Sequence, residues 1–114
     1  MIPEPIGSEQ ILKIPDGDWI SFAQFMEDLQ EARIIYVWET HDQMEHHQIQ
    51  LRILRGLIEK GKEVVVAMEM FQRSQQPVLD RWTSGQLTEE QFLKEADWET
   101  TWSIDYSLYR WILD

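Results

Sequence analysis

Two acids and an imidazole follow two apolar runs of the sequence. Glu39 and His41 come directly after the run at 34–38, and Glu69 lies near the end of the run at 64–70. Carboxylates beside an imidazole suit general acid–base catalysis, and the same groups can bind divalent metals. We therefore take Glu39, His41 and Glu69 as candidate catalytic residues, with metal binding as an open alternative.

These side chains meet only if the two runs are neighbouring strands. The β-branched and aromatic run at 33–38 predicts a strand covered on both faces, and residues 63–71 predict a second one. Residues 43–60 predict the helix between them, with Asp42 as its cap and Gly61 at its end. Such a strand–helix–strand unit predicts parallel strands in right-handed connection. The candidates would then lie at the carboxyl edge of the sheet, where open α/β sheets bind ligands.

The predicted fold class is α/β: a small parallel sheet with a strand–helix–strand unit, followed by a helical C-terminal segment. We expect one domain over residues 1–114. The flanking elements are a short strand at 10–14, a helix at 22–30 capped by Ser21, and helices at 74–83, 88–96 and from Asp105 onward. Two or three strands are few for a parallel sheet, so we expect the chain to be part of a larger fold or to be completed by self-association.

Composition narrows the classes of function. The chain has 114 residues and a net charge of -11, which argues against nucleic acid as a partner. It has no cysteine, so disulfides, thiolate metal sites and cysteine nucleophiles are excluded. No apolar run approaches the roughly 18 residues that cross a bilayer, and no secretory signal or lipoprotein cysteine is present. We expect a cytoplasmic protein as given, or one of the cell envelope if a leader was removed.

Two blocks of the sequence resemble the ChaN-like haem-binding lipoprotein family. The first is Ile-Tyr-Val-x-Glu-Thr-His-Asp at 35–42, followed by the histidine pair at 46–47. The second is Val-Ala-Met-Glu-Met-Phe-Gln-Arg at 66–73, followed by Gln-Pro-Val-Leu-Asp at 76–80. The resemblance runs in order from Arg33 to the C-terminus. The family is associated with iron and haem acquisition in bacteria, and is more distantly similar to erythromycin esterases and Tiki-type metalloproteases.

The resemblance implies haem as the cofactor and assigns site residues. Those for cofactor binding are His41, His47, Gln72 and Gln76, with Arg73 and Arg110 as candidate partners of the haem propionates. His47 also lies on the apolar stripe of the predicted helix, where a histidine can be a buried core residue instead of a cofactor ligand. Trp38 departs from the family pattern, because the family has a glycine there and an indole fills the space that glycine leaves open.

Three functions stay open at this point. The first is a haem-binding module with its ligand at the carboxyl edge of the sheet. The second is a hydrolase or metal-dependent enzyme of the erythromycin-esterase type that uses Glu39, His41 and Glu69. The third is a structural or assembly unit without activity of its own. In each case we expect a homo-oligomer, and in the first two a small-molecule partner.

Overall fold

The structure, a computed structural model, describes residues 10–114. The described residues fall into two compact units, one ending at Val64 and one covering Val65–Asp114. The single-domain prediction stays a prediction. The helices are α1 (Phe22–Leu29), α2 (Met44–Glu59), α3 (Gln76–Thr83), α4 (Glu89–Glu95), α5 (Trp98–Thr101) and α6 (Arg110–Leu113). Within residues 10–114, none of them combines the length and apolarity needed to cross a membrane.

The first unit opens with an antiparallel hairpin. Strand β1 (Gln10–Lys13) pairs with β2 (Asp18–Ser21). In the turn between them Gly17 donates its N–H to the carbonyl of Lys13 at 2.8 Å. Gly17 has a φ of 77°, a conformation that glycine adopts without steric cost. The predicted first strand is confirmed, whereas β2 was not predicted because its two apolar residues are too few to show an alternating pattern.

Helices α1 and α2 form the rest of the first unit. The hydroxyl of Ser21 accepts the N–H of Gln24 at 3.1 Å, which confirms the predicted cap of α1. The predicted cap of α2 at Asp42 is wrong, because the N-cap is Gln43. The N–H of Gln43 donates to the carbonyl of Thr40 at 3.0 Å, and this turn shifts the start of the helix by one residue.

The core of the first unit lies between α1 and α2. Met26 of α1 is buried against Ile53 and Leu57 of α2. A Cβ built on Gly56 would lie 2.6 Å from the Met26 Cε, closer than real Cβ atoms approach their neighbours. The missing side chain at Gly56 therefore lets the two helices pack closely at this point.

The second unit is helical and has an aromatic core. Phe92, Trp98 and Tyr109 are buried in it, and the ring of Trp82 stacks on Phe92 with centroids 4.8 Å apart. Thr88 caps α4 in a capping box, as the sequence predicts. The short helices of this unit are joined by 3₁₀ turns at Arg73–Gln75 and Tyr106–Leu108. Of these elements, only α5 has no counterpart among the predicted helices.

The predicted parallel sheet is wrong for the part of the chain that the structure describes, where the sheet present is the antiparallel hairpin. Residues 34–40 and 62–68 form no strand. Ile34 is 70% exposed and Val65 is 96% exposed, so neither run is covered on both faces. A β-branched run fits a pleated sheet surface, but pairing depends on neighbouring strands that the run itself does not specify. The coarser α/β class is retained, with two antiparallel strands and six helices among these residues.

Candidate functional site

Glu39 lies between two imidazoles in the first unit. Its Oε1 is 3.0 Å from Nδ1 of His41, and its Oε2 is 2.8 Å from Nδ1 of His47. Glu39 and His41 belong to the loop that leads into α2, and His47 lies in the first turns of that helix. We call this arrangement the Glu39 cluster. It brings together three of the residues that the sequence singles out.

His47 is the buried member of the Glu39 cluster, with 2% of its side chain exposed. Its Nε2 lies 2.8 Å from the backbone carbonyl oxygen of His41. Because a carbonyl oxygen only accepts, Nε2 carries the proton of that hydrogen bond. Its Nδ1 lies 2.8 Å from Oε2 of Glu39, so each ring nitrogen is within hydrogen-bonding distance of an oxygen atom. The buried imidazole therefore links the carboxylate of Glu39 to the backbone of His41.

His41 is the accessible member of the Glu39 cluster. Its side chain is 42% exposed, against 11% for Glu39. A carboxylate oxygen accepts from Nδ1–H, and a proton on Nδ1 of a neutral ring leaves the lone pair on Nε2. The carboxylate thus fixes both the tautomer and the orientation of a ring that a ligand in solution can reach.

The residues before the cluster alternate between two environments. Ile35 packs against the core of the first unit, and Glu39 meets His47. The alternate residues Ile34, Tyr36 and Trp38 are 70%, 80% and 90% exposed. This period of two is that of an extended chain and directs Glu39 inward toward α2. The indole of Trp38, by contrast, faces solvent.

A second histidine of α2 fixes the same loop. The backbone N–H of Thr40 donates to Nδ1 of His46 at 2.8 Å. Sequence reasoning missed this contact, although a histidine in the first turn of a helix lies close to the chain that enters it. His46 and His47 therefore contact the loop at three points: the backbone N–H of Thr40, the carboxylate of Glu39 and the backbone carbonyl of His41.

An apolar cleft of about 500 Å³ lies in the same unit. It is lined by Ile11, by Phe22, Phe25 and Leu29 of α1, by residues 35–38, and by Ile49, Arg52 and Ile53 of α2. Arg52 is the one cation among these lining residues, and its guanidinium carbon lies 4.0 Å from the Phe22 ring centroid. The helical pattern of the sequence predicts that Arg52 lies on the solvent face of α2. Ile49 and Ile53, which lie off the main apolar stripe, were the residues that could have indicated apolar surface near Arg52.

The other predicted site residues belong to the second unit. Glu69, Gln72 and Gln76 are exposed there. The side chain of Gln76 donates to Asp80 at 2.8 Å, a contact within one helix. Their assignment to a site shared with Glu39 and His41 stays a prediction.

The two arginines predicted to meet haem propionates also lie in the second unit. Arg110 pairs with Glu89 at 2.8 Å and lies over the ring of Tyr106. Arg73 is exposed at the start of a 3₁₀ turn. Their proposed role is likewise still a prediction.

The Glu39 cluster is closed on itself and does not converge on a metal. Its imidazole Nδ1 atoms are directed at the carboxylate oxygens, at 3.0 and 2.8 Å. Across residues 10–114, no group of three or more histidine, aspartate or glutamate side chains is arranged to hold a metal ion. The arrangement can instead orient an imidazole, as a ligand or as a base.

Comparison with known proteins supplies a family. Residues 25–114 match the model of a family described as haem-binding uptake, Tiki superfamily, ChaN. The matched range includes the Glu39 cluster and all of the second unit. No curated protein and no solved structure matches the chain.

Proposed function

Because the chain belongs to the ChaN family of haem-binding uptake proteins, in the Tiki superfamily, we propose that its first unit binds haem with His41 as the iron ligand. The observation that carries this proposal is the 3.0 Å contact between Glu39 Oε1 and His41 Nδ1. Histidines that bind metals commonly donate their other ring N–H to a carboxylate, which orients the ring and raises its basicity. Bound haem would supply an iron that this nitrogen could bind.

The apolar cleft of the first unit, whose lining includes Trp38, one residue before Glu39 in the chain, suits an apolar ligand that carries carboxylates. Its volume of about 500 Å³ lies in the usual range of small-molecule sites, roughly 300–1,000 Å³. Along α2 the cleft extends from Ile49 to Ile53, up to six residues beyond His47, which is about 9 Å along the helix axis. Arg52 supplies a planar guanidinium for a propionate in an otherwise acidic chain.

Haem titration followed by absorbance tests the proposal. We expect the wild type to shift the Soret band, and His41→Ala to lose the shift because the ligand is removed. Arg52→Gln should weaken binding about tenfold, because a charge-assisted hydrogen bond to a propionate is lost. Arg55→Gln is the matched control, since Arg55 lies on the same helix but does not line the cleft. A folded wild type that leaves the Soret band of free haem unchanged would reject the proposal.

The same pair of residues favours a second candidate function, ester hydrolysis. A carboxylate 3.0 Å from Nδ1 is the arrangement that orients a histidine general base, and His41 could then activate a water molecule. We expect hydrolysis of a p-nitrophenyl ester by the wild type and its loss in His41→Ala at an unchanged melting temperature. Equal rates in the two proteins would exclude His41 as the base.

A further inference from the structure

We propose that His47 is the positioning residue of this site: its buried ring holds Glu39 and His41 in the geometry that ligand binding uses. His47 itself, at 2% exposure, is withdrawn from solvent. The inference deepens the proposed haem site and rests on it for one of two readouts. The other readout is measured on the protein without haem.

The ring of His47 contacts both ends of the loop 39–41. At the start of the loop its Nδ1 lies 2.8 Å from Oε2 of Glu39. At the end of the loop its Nε2 donates to the carbonyl of His41 at 2.8 Å. One rigid ring therefore fixes the carboxylate and the backbone of His41 relative to each other. Because the ring belongs to α2, both are also fixed relative to a 16-residue helix.

The His47 ring also determines how the two carboxylate oxygens of Glu39 are divided between His41 and His47. Glu39 uses Oε2 for His47 and Oε1 for His41, so the His47 contact determines the direction in which Oε1 points. Without His47, a carboxylate that is 11% exposed would lose its contact with Nδ1 and could turn toward water or another N–H group. The ring of His41 would then lose the acceptor that holds its proton on Nδ1.

Nitrogen-15 NMR of the histidine rings in the haem-free protein tests the inference directly. In the wild type we expect the neutral form of His41 to carry its proton on Nδ1. In His47→Leu, which keeps a side chain of similar bulk without polar atoms, we expect this preference to be lost. Leu51→Ala is the control: Leu51 is buried one turn further along α2, and its removal should destabilise the protein without changing the tautomer of His41.

Haem titration supplies the second readout. We expect His47→Leu to weaken haem binding about 10- to 100-fold, the usual effect of removing a partner that orients a metal ligand. If the wild type fails to bind haem but His47→Leu still changes the tautomer of His41, the proposed function fails and the positioning role stands.

An unchanged His41 tautomer in a folded His47→Leu protein would overturn the inference. Should that variant not fold, His47→Gln replaces it, because both N–H donors of an amide sit on one nitrogen and do not match the spacing of the two ring nitrogens. The Nδ1–H preference should then fall, and its full retention would equally overturn the proposal.

Discussion

Tyr106 carries its hydroxyl into the core of the second unit. The hydroxyl is buried and has no hydrogen-bond partner within residues 10–114. Burial, followed by the negative charge of Glu89, raises the pKa of Tyr106 from its ordinary value of 10.0 to about 12. The folded state therefore resists ionisation of this phenol, while the unfolded chain ionises near the ordinary value. This contribution to stability is complete below pH 10 and is lost as the pH rises from 10 to 12.

Replacing Tyr106 by phenylalanine should remove that alkaline sensitivity. At pH 7 we expect the free energy of unfolding to change by less than about 1 kcal/mol, since an unsatisfied buried hydroxyl is removed at nearly constant shape. Between pH 10 and 12, Tyr106→Phe should lose less stability than the wild type. Urea unfolding at pH 7, 10 and 12 measures both effects. Tyr36→Phe is the control, because Tyr36 is exposed, and an equal alkaline loss in both variants would contradict the prediction.

The residues of the Glu39 cluster differ in how far the sequence predicts them. Glu39 and His41 are two positions apart, and an extended chain places such residues on one side, so their contact follows from local geometry. The contact between Glu39 and His47 does not follow from local geometry. A helical stripe shows which face of the helix is buried, but not which side chain packs against that face. From the sequence, His47 could be either a core residue or a haem ligand. In the structure its ring is buried and contacts Glu39.

Gly56 sets the distance between α1 and α2, and this can be tested with a pair of substitutions. Alanine at 56 should be tolerated, since Met26 can move its flexible end and the helix gains up to about 1 kcal/mol in propensity. Valine has two further methyl groups at the same contact and should cost about 1–3 kcal/mol by overpacking. Urea unfolding of both variants measures the difference.

The double variant Gly56→Val with Met26→Ala identifies the cause. If the clash with Met26 is responsible, the cost of valine should be smaller when Met26 has been shortened, so the two changes are not additive. Additive costs would show that the valine is disfavoured for another reason, such as its stiffness in a helix.

At the scale of elements, predictions succeeded where hydrogen bonds are local. The caps at Ser21 and Thr88 each involve a backbone N–H three residues ahead, and the residue types alone specify them. Gly61 has the positive φ that the end of α2 requires. The run at 33–38 failed as a strand because strand pairing depends on distant partners. The cap at Asp42 failed because of a competing turn one residue away.

At the scale of the molecule, charge and exposed apolar surface act in opposite directions. A net charge of -11 opposes close approach of two copies. Large apolar side chains nevertheless face solvent, among them Trp38 and Val65, and exposed apolar patches often mark sites of interaction. Self-association stays a prediction, as does the larger fold that the apolar runs indicate. Both are expected from the sequence, and both depend on surfaces that another part of a fold or another copy would cover.

Helix α2 holds the site at one end and the core at the other. His46 and His47 fix the loop that carries His41, whereas Ile53 and Leu57 pack against α1. A saturation library along this single helix would therefore separate into two classes of defect. Variants in its first turns would yield folded protein with an altered binding response, and variants near its end would reduce the yield of folded protein before any ligand is added.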